Sequence, residues 1–462
     1  MGDMTVDTFL ASSFGLFVMT LFHGSLTAPS WHSFTYMAYG WALVCGRQTI
    51  TSYLYTSGAA HVKHFSRYYT FLGGALYQRR AHLWACVIRC GASLVPAHAT
   101  IAIRLDDAIM KKAGRHIQGA AYYRNGAGTA RQEYRTLWGI HLVWAIMRIP
   151  LQRWPGHFLS LPIGLELSLK APVANALKVP YHSRSALARR IVDQVATALP
   201  TRTIHVATDG GYATQAFLRA LPSNVQVVGR FLLTGVLYHL PPPRRKGQRG
   251  APRKKGARIG SPKTLALSSS GWQPHPQEAG AFIQSWVGMW YSVLPGQRIR
   301  IVVVWRPHRA GSPTSHGTKT CGRLKPLEAF FSTDVAMSPC TILETYADRW
   351  AMEIDIRDGH AYYGVAQDQC RKFTHIVGAN TFRLLLAAAR TLWCIVTSEQ
   401  HADIALQWLR PWYRQKVAPS QADVACACRE ALYEVGIFPI PRFFTTVAEN
   451  QQEADTSKSM AA

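Results

Sequence analysis

The order of apolar segments between residues 99 and 233 constrains the fold more than any other feature of this 462-residue chain. Three stretches that alternate or are rich in β-branched residues predict an antiparallel meander of strands. An amphipathic helix at 185–199, a strand at 203–209, a helix at 214–221 and a strand at 225–233 follow. This βββαβαβ order predicts a mixed sheet flanked by helices, an α/β core. The three meander strands are ATIAIRLD from residue 99, GIHLVWAIMRI at 139–149 and FLSLPIGLELSL at 158–169.

The segment before this core has apolar residues at helical spacing and few turn signals, which predicts a helical domain. Within it, residues 47–72 form two helical stretches separated at Ser57 and Gly58. They fit a DNA-binding helix-turn-helix, and they fit equally an ordinary helical pair with one basic face. The second stretch carries Lys63, His64, Arg67, Tyr68 and Tyr69.

A basic block interrupts the core at residues 241–258, where no acid and no apolar run occurs. Such a block cannot pack in a core, and it predicts either a DNA-binding arm or a merely solvated loop. Strands follow at 298–305 and 328–334, so residues 234–325 form an insertion in the core. The eight cations of the block are Arg244, Arg245, Lys246, Arg249, Arg253, Lys254, Lys255 and Arg258.

The whole pattern divides the chain into six parts. We expect a helical N-terminal domain at 1–95, the two parts of the core at 96–233 and 326–395, the insertion at 234–325, a C-terminal helical region at 396–447 and a disordered tail at 448–462. The segments FRLLLAAARTLWCIV at 382–396 and DVACACREALYEVGI at 423–437 predict two helices in the last third of the chain.

The charge of the chain favours a polyanionic partner. Lys and Arg number 51 against 25 Asp and Glu, a formal net charge of +26. Nucleic acid is the first candidate and an anionic membrane surface the second. The apolar stretch from Phe9 to Phe22 is too short to span a bilayer about 30 Å thick, and Asp3 and Asp7 before it disfavour a signal peptide. We therefore expect a cytoplasmic protein.

Acidic residues follow two of the predicted strands. Asp106 and Asp107 end the first strand, and Asp209 ends the fourth in the sequence ATDGGY. Polar sites form where adjacent strands of an α/β sheet end, and paired carboxylates suit Mg²⁺. An aspartate in a turn is also a common structural residue, so both interpretations stay open.

A third acidic segment, LETYADRWAMEIDIRDGH at 343–360, predicts one helix with its charges sorted. At about 100° per residue, Tyr346, Arg349, Glu353, Arg357 and His360 fall on one face. Glu344, Asp348, Asp355 and Asp358 fall on the far side, with Leu343, Ala347, Trp350 and Ile354 between them as the stripe that packs on the sheet. A structural explanation is a pair of salt bridges from Glu353 to Arg349 and Arg357.

The spacing Tyr346-x2-Arg349-x3-Glu353-x6-His360 resembles the YREK signature of bacterial insertion-sequence DDE transposases, the cut-and-paste group. RLDDAIMKK and ATDGGY are similar to the strands that carry the first two aspartates of that family. The resemblance covers residues 95–395. It implies an RNase H-like mixed sheet with an inserted β-rich subdomain, plus helical N- and C-terminal regions.

The resemblance also implies the site residues. Asp106, Asp209 and Glu353 would be the catalytic carboxylates and the ligands of two Mg²⁺ or Mn²⁺ ions, with Asp107 as the alternative to Asp106. The contacts to phosphates at the transposon end would come from Tyr346, Arg349, Arg357 and His360. His360 stands where the family has Lys, and a neutral His is a weaker phosphate contact.

The implied activity is metal-dependent cleavage at the terminal inverted repeats of a transposon and strand transfer into target DNA. A homodimer on paired ends and a nucleoid-associated location in a bacterium follow from the same resemblance. The alternative is a catalytically inactive or recruited DNA-binding protein derived from a transposase. A glycosidase with paired carboxylates is a more distant alternative, since it does not need such a positive charge.

Overall fold

The computed structural model describes residues 2–124, 136–244, 250–268, 270–307, 327–400 and 416–433. Residues 2–93 are largely helical, as their apolar spacing predicts. The helices are α1 (Gly2–Ala11), α2 (Ser13–Leu21), α3 (Ala28–Leu43), α4 (Ile50–Thr56), α5 (Ser66–Phe71) and α6 (Tyr77–Ser93). A π-helical turn at Leu72–Leu76 joins the last two.

The break predicted inside residues 47–72 is present. Helix α4 ends at Thr56, and Gly58 has a φ of 70°, a left-handed conformation that suits glycine. Tyr68 of the next helix is fully buried, whereas His64 and Arg67 are exposed. Part of the basic and aromatic set therefore packs into the core, and His64 and Arg67 face solvent.

The predicted βββαβαβ order is confirmed, with one extra strand. Residues Ala121–Arg124 form a strand that is too short to give a sequence signal. The strands are β1 (Ile101–Lys111), β2 (Ala121–Arg124), β3 (Thr136–Pro150), β4 (Phe158–Ser168), β5 (Ile204–Thr208) and β6 (Val225–Arg230). The helices are α7 (Ala171–Ala176) and α8 (Arg184–Ala198) after β4, and α9 (Gln215–Leu218) between β5 and β6.

The inserted segment adds strands and one helix. Its elements are β7 (Leu237–Tyr238), β8 (Arg258–Gly260), α10 (Pro262–Ser268), β9 (Gln273–Pro274), β10 (Phe282–Met289) and β11 (Arg298–Trp305), and the core resumes with β12 (Leu327–Ser332). Arg245, Lys246 and Arg249 of the basic block lie outside the described residues, as does the tail at 448–462.

All of these strands belong to one mixed sheet of twelve strands. Its order is β2-β3-β1-β5-β6-β12-β11-β10-β7-β8, with β4 also on β3 and β9 also on β10. β5 is parallel to both β1 and β6, and β12 is antiparallel to β6. This architecture is consistent with an RNase H-like core. The strands of the insertion extend one edge of the sheet.

Four helices follow the sheet, namely α11 (Pro339–Asp348), α12 (Ala351–Tyr362), α13 (Phe373–Gln400) and α14 (Gln421–Tyr433). Helix α13 is long and apolar enough to cross a membrane, but 89% of its most apolar window is buried inside the protein. The predicted helix at 423–437 is α14, whose residues beyond Tyr433 lie outside the described chain.

The N-terminal helices and the sheet share one hydrophobic core around α13. Phe382 of this helix lies 5.3 Å from Phe34 in an edge-to-face contact. Arg383, which is fully buried, donates hydrogen bonds to the Tyr53 hydroxyl at 3.0 Å and to the Gln48 carbonyl at 2.8 Å. The first 93 residues therefore pack directly against the C-terminal part of the chain.

Candidate active site

Asp106 and Asp209 lie at neighbouring points of the sheet. In the parallel pair β1–β5, Leu105 is opposite Thr208; Asp106 is the next residue of β1, and Asp209 is the first residue after β5. Asp209 is exposed and begins a 3-10 turn, where its carboxylate accepts a hydrogen bond from the Gly210 amide. The two acids therefore lie side by side where this pairing ends, but the prediction that Asp106 and Asp107 end the first strand is wrong, because β1 continues to Lys111 through its pairing with β3.

Asp106 and Asp107 have opposite surroundings. Asp106 accepts an ionic hydrogen bond from Nη1 of Arg349 at 2.8 Å. The carboxylate of Asp107 accepts hydrogen bonds from the Tyr212 hydroxyl at 2.6 Å, from Nη1 of Arg184 at 2.9 Å and from the ring of His141. Asp107 is therefore saturated by three neighbours.

These surroundings shift the two pKa values in opposite directions. Burial raises the pKa of Asp106 to about 6, and the charges of Asp107 and Asp209 add to the rise while Arg349 opposes it. Burial alone would raise the pKa of Asp107, but the bonds from His141, Tyr212 and Arg184 lower it to about 2. The charge of Asp209 therefore acts directly on Asp106.

Tyr346 of α11 is a further residue of this site. Its ring is buried and lies 4.5 Å from the ring of Phe330 on β12. Burial raises the pKa of Tyr346, and Arg349, Arg230 and Asp209 all act electrostatically on its hydroxyl. The hydroxyl therefore lies among the charged groups of the site, while the ring anchors α11.

The prediction of one continuous helix at 343–360 is wrong. Helix α11 ends at Asp348 and α12 begins at Ala351. Between them the chain makes the tighter bonds of a 3-10 turn, with the Arg349 amide on the Tyr346 carbonyl at 3.1 Å and the Glu353 amide on the Trp350 carbonyl at 3.2 Å. The turn lets two consecutive side chains, those of Asp348 and Arg349, both bond to β1.

The predicted orientation of the acidic side is also wrong. Asp355 and Asp358 are buried, and Asp348 pairs with Arg104 at 2.8 Å and with Arg148 at 3.1 Å. The prediction of an apolar stripe that packs on the sheet is wrong as well. Leu343 is buried, but Ala347, Trp350 and Ile354 are exposed. The physical reason is that arginines of the sheet provide partners for acids inside the protein, so the charged side faces inward.

Glu353 is exposed on α12. The expected bridges to Arg349 and Arg357 do not form, because Arg349 pairs with Asp106 and Arg357 with Asp358 at 3.0 Å. Within the described chain the Glu353 carboxylate has no hydrogen bond or ion pair, and no three His, Cys, Asp or Glu side chains form a metal-binding group. The structure thus brings Asp106 and Asp209 together without Glu353.

The glycine in the last turn of the signature is explained by packing. Gly359 is buried, and a Cβ atom there would lie 2.5 Å from the Trp144 ring. The glycine therefore allows α12 to approach β3. His360 and Arg357 are exposed.

Part of the basic block lies in the described residues. Arg253, Lys254, Lys255 and Arg258 are exposed, and the Lys255 ammonium lies 4.5 Å from the centre of the Tyr238 ring. Nη2 of Arg244 donates to the Gly250 carbonyl at 3.3 Å. All five of these cations lie in β8 or in the chain between β7 and β8.

Sequence reasoning missed the partners of the acids. Arg104 precedes Asp106 by two residues, a spacing that puts both side chains on one face of a strand, and this signal was present in the sequence. Tyr212, three residues after Asp209, is the last residue of the ATDGGY segment itself. The roles of His141, Arg148 and Arg184 left no local signal, because their partners are remote in sequence.

The donor atoms around Asp106 and Asp209 fit a divalent cation. Carboxylate oxygens are the ligands that Mg²⁺ takes, usually one or two from the protein. One oxygen of Asp106 already binds a cation, the guanidinium of Arg349, and the two carboxylates repel each other. A positive ion between them would relieve that repulsion.

Two family models match the sequence. An RNase H-like sheet with two acids side by side on adjacent strands is consistent with an enzyme that processes nucleic acid. A model described as DDE superfamily endonuclease matches residues 39–275, just over half of the chain, and one described as transposase DDE domain matches residues 176–389. The chain belongs to the DDE superfamily endonuclease family. The first match includes Asp106 and Asp209, and the second includes Asp209 and Glu353. No curated protein matches the sequence significantly.

Proposed function

We propose that this protein is a DNA transposase of the YREK group that cleaves DNA at transposon ends and transfers the ends into target DNA. One observation carries the proposal. Asp106 and Asp209 lie side by side where the parallel pairing of β1 with β5 ends, and Arg349 of the signature is bonded to Asp106. The family match supports the same class of reaction.

In this proposal, Asp106, Asp209 and Glu353 hold two Mg²⁺ or Mn²⁺ ions. Asp106 is preferred to Asp107, because the oxygens of Asp107 already accept bonds from Tyr212 and two other side chains. When bound, the ions lower the pKa of an attacking water or 3′-hydroxyl and stabilise charge on the leaving oxygen. The protein itself orients the scissile phosphate and excludes alternative geometries.

The exposed side of α12 is the proposed DNA-facing surface of the site. Glu353, Arg357 and His360 recur at helical spacing and are all exposed. Arg357 and His360 would contact phosphates beside the scissile bond. Arg349 would exchange its bond to Asp106 for a phosphate oxygen, since guanidinium groups bind both anions well, and Tyr346 would orient Arg349.

The net charge of +26 and the exposed cations of the basic block support binding along the DNA backbone. The helices at 1–95 are the proposed readers of the terminal repeat. We further propose a homodimer on paired ends, acting on the nucleoid in the cytoplasm. Light scattering of the protein with and without end DNA would detect the dimer.

One experiment tests the catalytic proposal. The protein is incubated with labelled DNA carrying its own flanking repeats, with and without Mg²⁺ or Mn²⁺, and the assay is repeated with Asp209→Asn and Glu353→Gln. Asp193→Asn is the matched control, since Asp193 is a half-exposed surface acid on α8 that pairs with Arg189. We expect metal-dependent nicking by the native protein and the control, and none by the two site variants. Cleavage by either site variant at the native rate contradicts the assignment.

A second candidate function is DNA binding without catalysis. It is favoured by the separation of Glu353 from the aspartate pair in the described residues. This function predicts that DNA binding survives Asp209→Asn and that the native protein never nicks DNA with either metal. The same assay, combined with a mobility-shift measurement, separates the two functions.

A further inference from the structure

Arg104 lies on the same face of β1 as Asp106, and its guanidinium binds two acids. Its side chain is 7% exposed, so its charge is removed from water. Nε and Nη2 donate to the carboxylate of Asp348 at 2.8 and 3.0 Å, and Nη1 donates to Asp355 at 3.2 Å. The planar guanidinium is suited to this geometry, because it presents several donors in fixed directions.

The two acids lie on either side of the break between helices. Asp348 is the last residue of α11, and Asp355 lies in α12. Arg148 of β3 reaches the same Asp348 at 3.1 Å. These contacts, which we call the Arg104 clamp, therefore tie both helices to the strand that carries Asp106.

Burial makes the clamp selective for one placement of the helices. A charge inside a protein is tolerated only when it is paired and hydrogen-bonded. Arg104 and Asp355 are both buried. If α12 slid or rotated against β1, at least one buried charge would lose its partner, so the ion pairs define a single register.

The register matters because the site residues of the helices lie between the clamped acids. Arg349 follows Asp348 directly and bonds to Asp106, and Glu353 precedes Asp355 by two residues. Holding Asp348 and Asp355 on Arg104 thus restricts where the side chains of Arg349 and Glu353 can reach.

We propose that Arg104 is a positioning residue that fixes the α11–α12 segment, and with it Arg349 and Glu353, in register with Asp106. The consequence for catalysis rests on the proposed function, whereas the mechanical role of the clamp does not.

The test uses two variants of the full chain and a matched control. Arg104→Lys keeps one cation but cannot bond to both acids, and Asp355→Asn keeps the shape of the acid but removes its charge. Arg383→Lys is the control, because Arg383 is also fully buried and also bonds through its guanidinium, but to groups of the helical core. Hydrogen exchange of the amides at 349–362 is measured in each variant.

We expect the clamp variants to exchange about tenfold faster than the native protein in this segment, and the control to exchange there at the native rate. Mn²⁺ binding, measured by calorimetry without DNA, should tighten in the clamp variants, because Arg349, no longer fixed beside Asp106, would compete less with the ion for that carboxylate. If Arg104→Lys does not fold, Asp355→Asn decides the question.

Two results would overturn the proposal. One is native exchange and native Mn²⁺ affinity in a folded clamp variant. The other is exchange that rises throughout the protein, as a purely structural residue would produce. If the native protein fails to cut DNA while the segment responds as expected, the proposed function is wrong and the clamp stands.

Discussion

Nη1 of Arg349 lies 2.8 Å from Oδ2 of Asp106, and this bond joins an acid of β1 to a residue 243 positions later in the chain. The arginine belongs to the turn that separates α11 from α12, so the bond also sets where α12 begins. It gives Asp106 a counter-ion inside the protein. A divalent ion on Asp106 must compete with this guanidinium.

This competition predicts opposite effects of Arg349→Gln on metal binding and on catalysis. Without the guanidinium, Asp106 is free for a metal ion, so Mn²⁺ should bind more tightly in calorimetry without DNA. Cleavage of end DNA should nevertheless fall by at least about tenfold, because a charge-assisted bond to phosphate is lost. Weaker Mn²⁺ binding in this variant would show that Arg349 supports the metal site instead of competing for it.

The raised pKa of Asp106 predicts that its carboxylate lowers the stability of the fold at neutral pH. Its folded value of about 6 lies above the ordinary value of 3.8. The stability contribution is therefore fully present below about pH 4 and is lost as the pH rises through 6. Asp106→Asn should raise the free energy of unfolding at pH 7 by about 1–3 kcal/mol. Urea unfolding at pH 7 and pH 4 measures this, and the gain should vanish at pH 4.

Asp107 is predicted to behave in the opposite way. Its folded pKa of about 2 lies below 3.8, so its contribution is present above about pH 4 and is lost as the pH falls through 2. Asp107→Asn should lower the free energy of unfolding at pH 7 by about 2 kcal/mol. If both variants shift the free energy of unfolding in the same direction, Asp106 and Asp107 do not have opposite effects on stability.

The sequence predicted the parts of the fold that depend on local pattern. Strand alternation predicted β1, β3 and β4, and the expected adjacency of the two strands predicted the approach of Asp106 to Asp209, although β1 continues beyond Asp106 to Lys111. The prediction of one helix at 343–360 is wrong because the backbone geometry there depends on ion pairs with residues that are remote in sequence. Arg104 and Arg148 are more than 190 residues away from the acids they bind, and a helical wheel assumes that charged residues face water.

Packing explains why the signature segment has a glycine at position 359. An added Cβ would lie 2.5 and 2.8 Å from atoms of the buried Trp144 ring. Gly359→Ala should therefore lower the free energy of unfolding by about 1–3 kcal/mol, although alanine favours a helix by about 1 kcal/mol. Gly74→Ala is the control, since a Cβ there meets nothing within 4 Å. Equal stability of the two variants in urea would exclude the steric explanation.

The basic block is predicted to act through the DNA backbone and not through base sequence. Arg253, Lys254 and Arg258 are exposed, and each cation that neutralises a phosphate contributes about 0.9 to the slope of log K against log salt. Changing all three to Gln should reduce the slope by about 2 to 3, with equal loss of affinity for end DNA and for unrelated DNA. Fluorescence anisotropy at four salt concentrations measures the slope, and Arg219→Gln, at an exposed position after α9, should leave it unchanged. An unchanged slope in the triple variant would mean that these three cations belong to a solvated loop, whereas a loss confined to end DNA would mean that the block reads sequence.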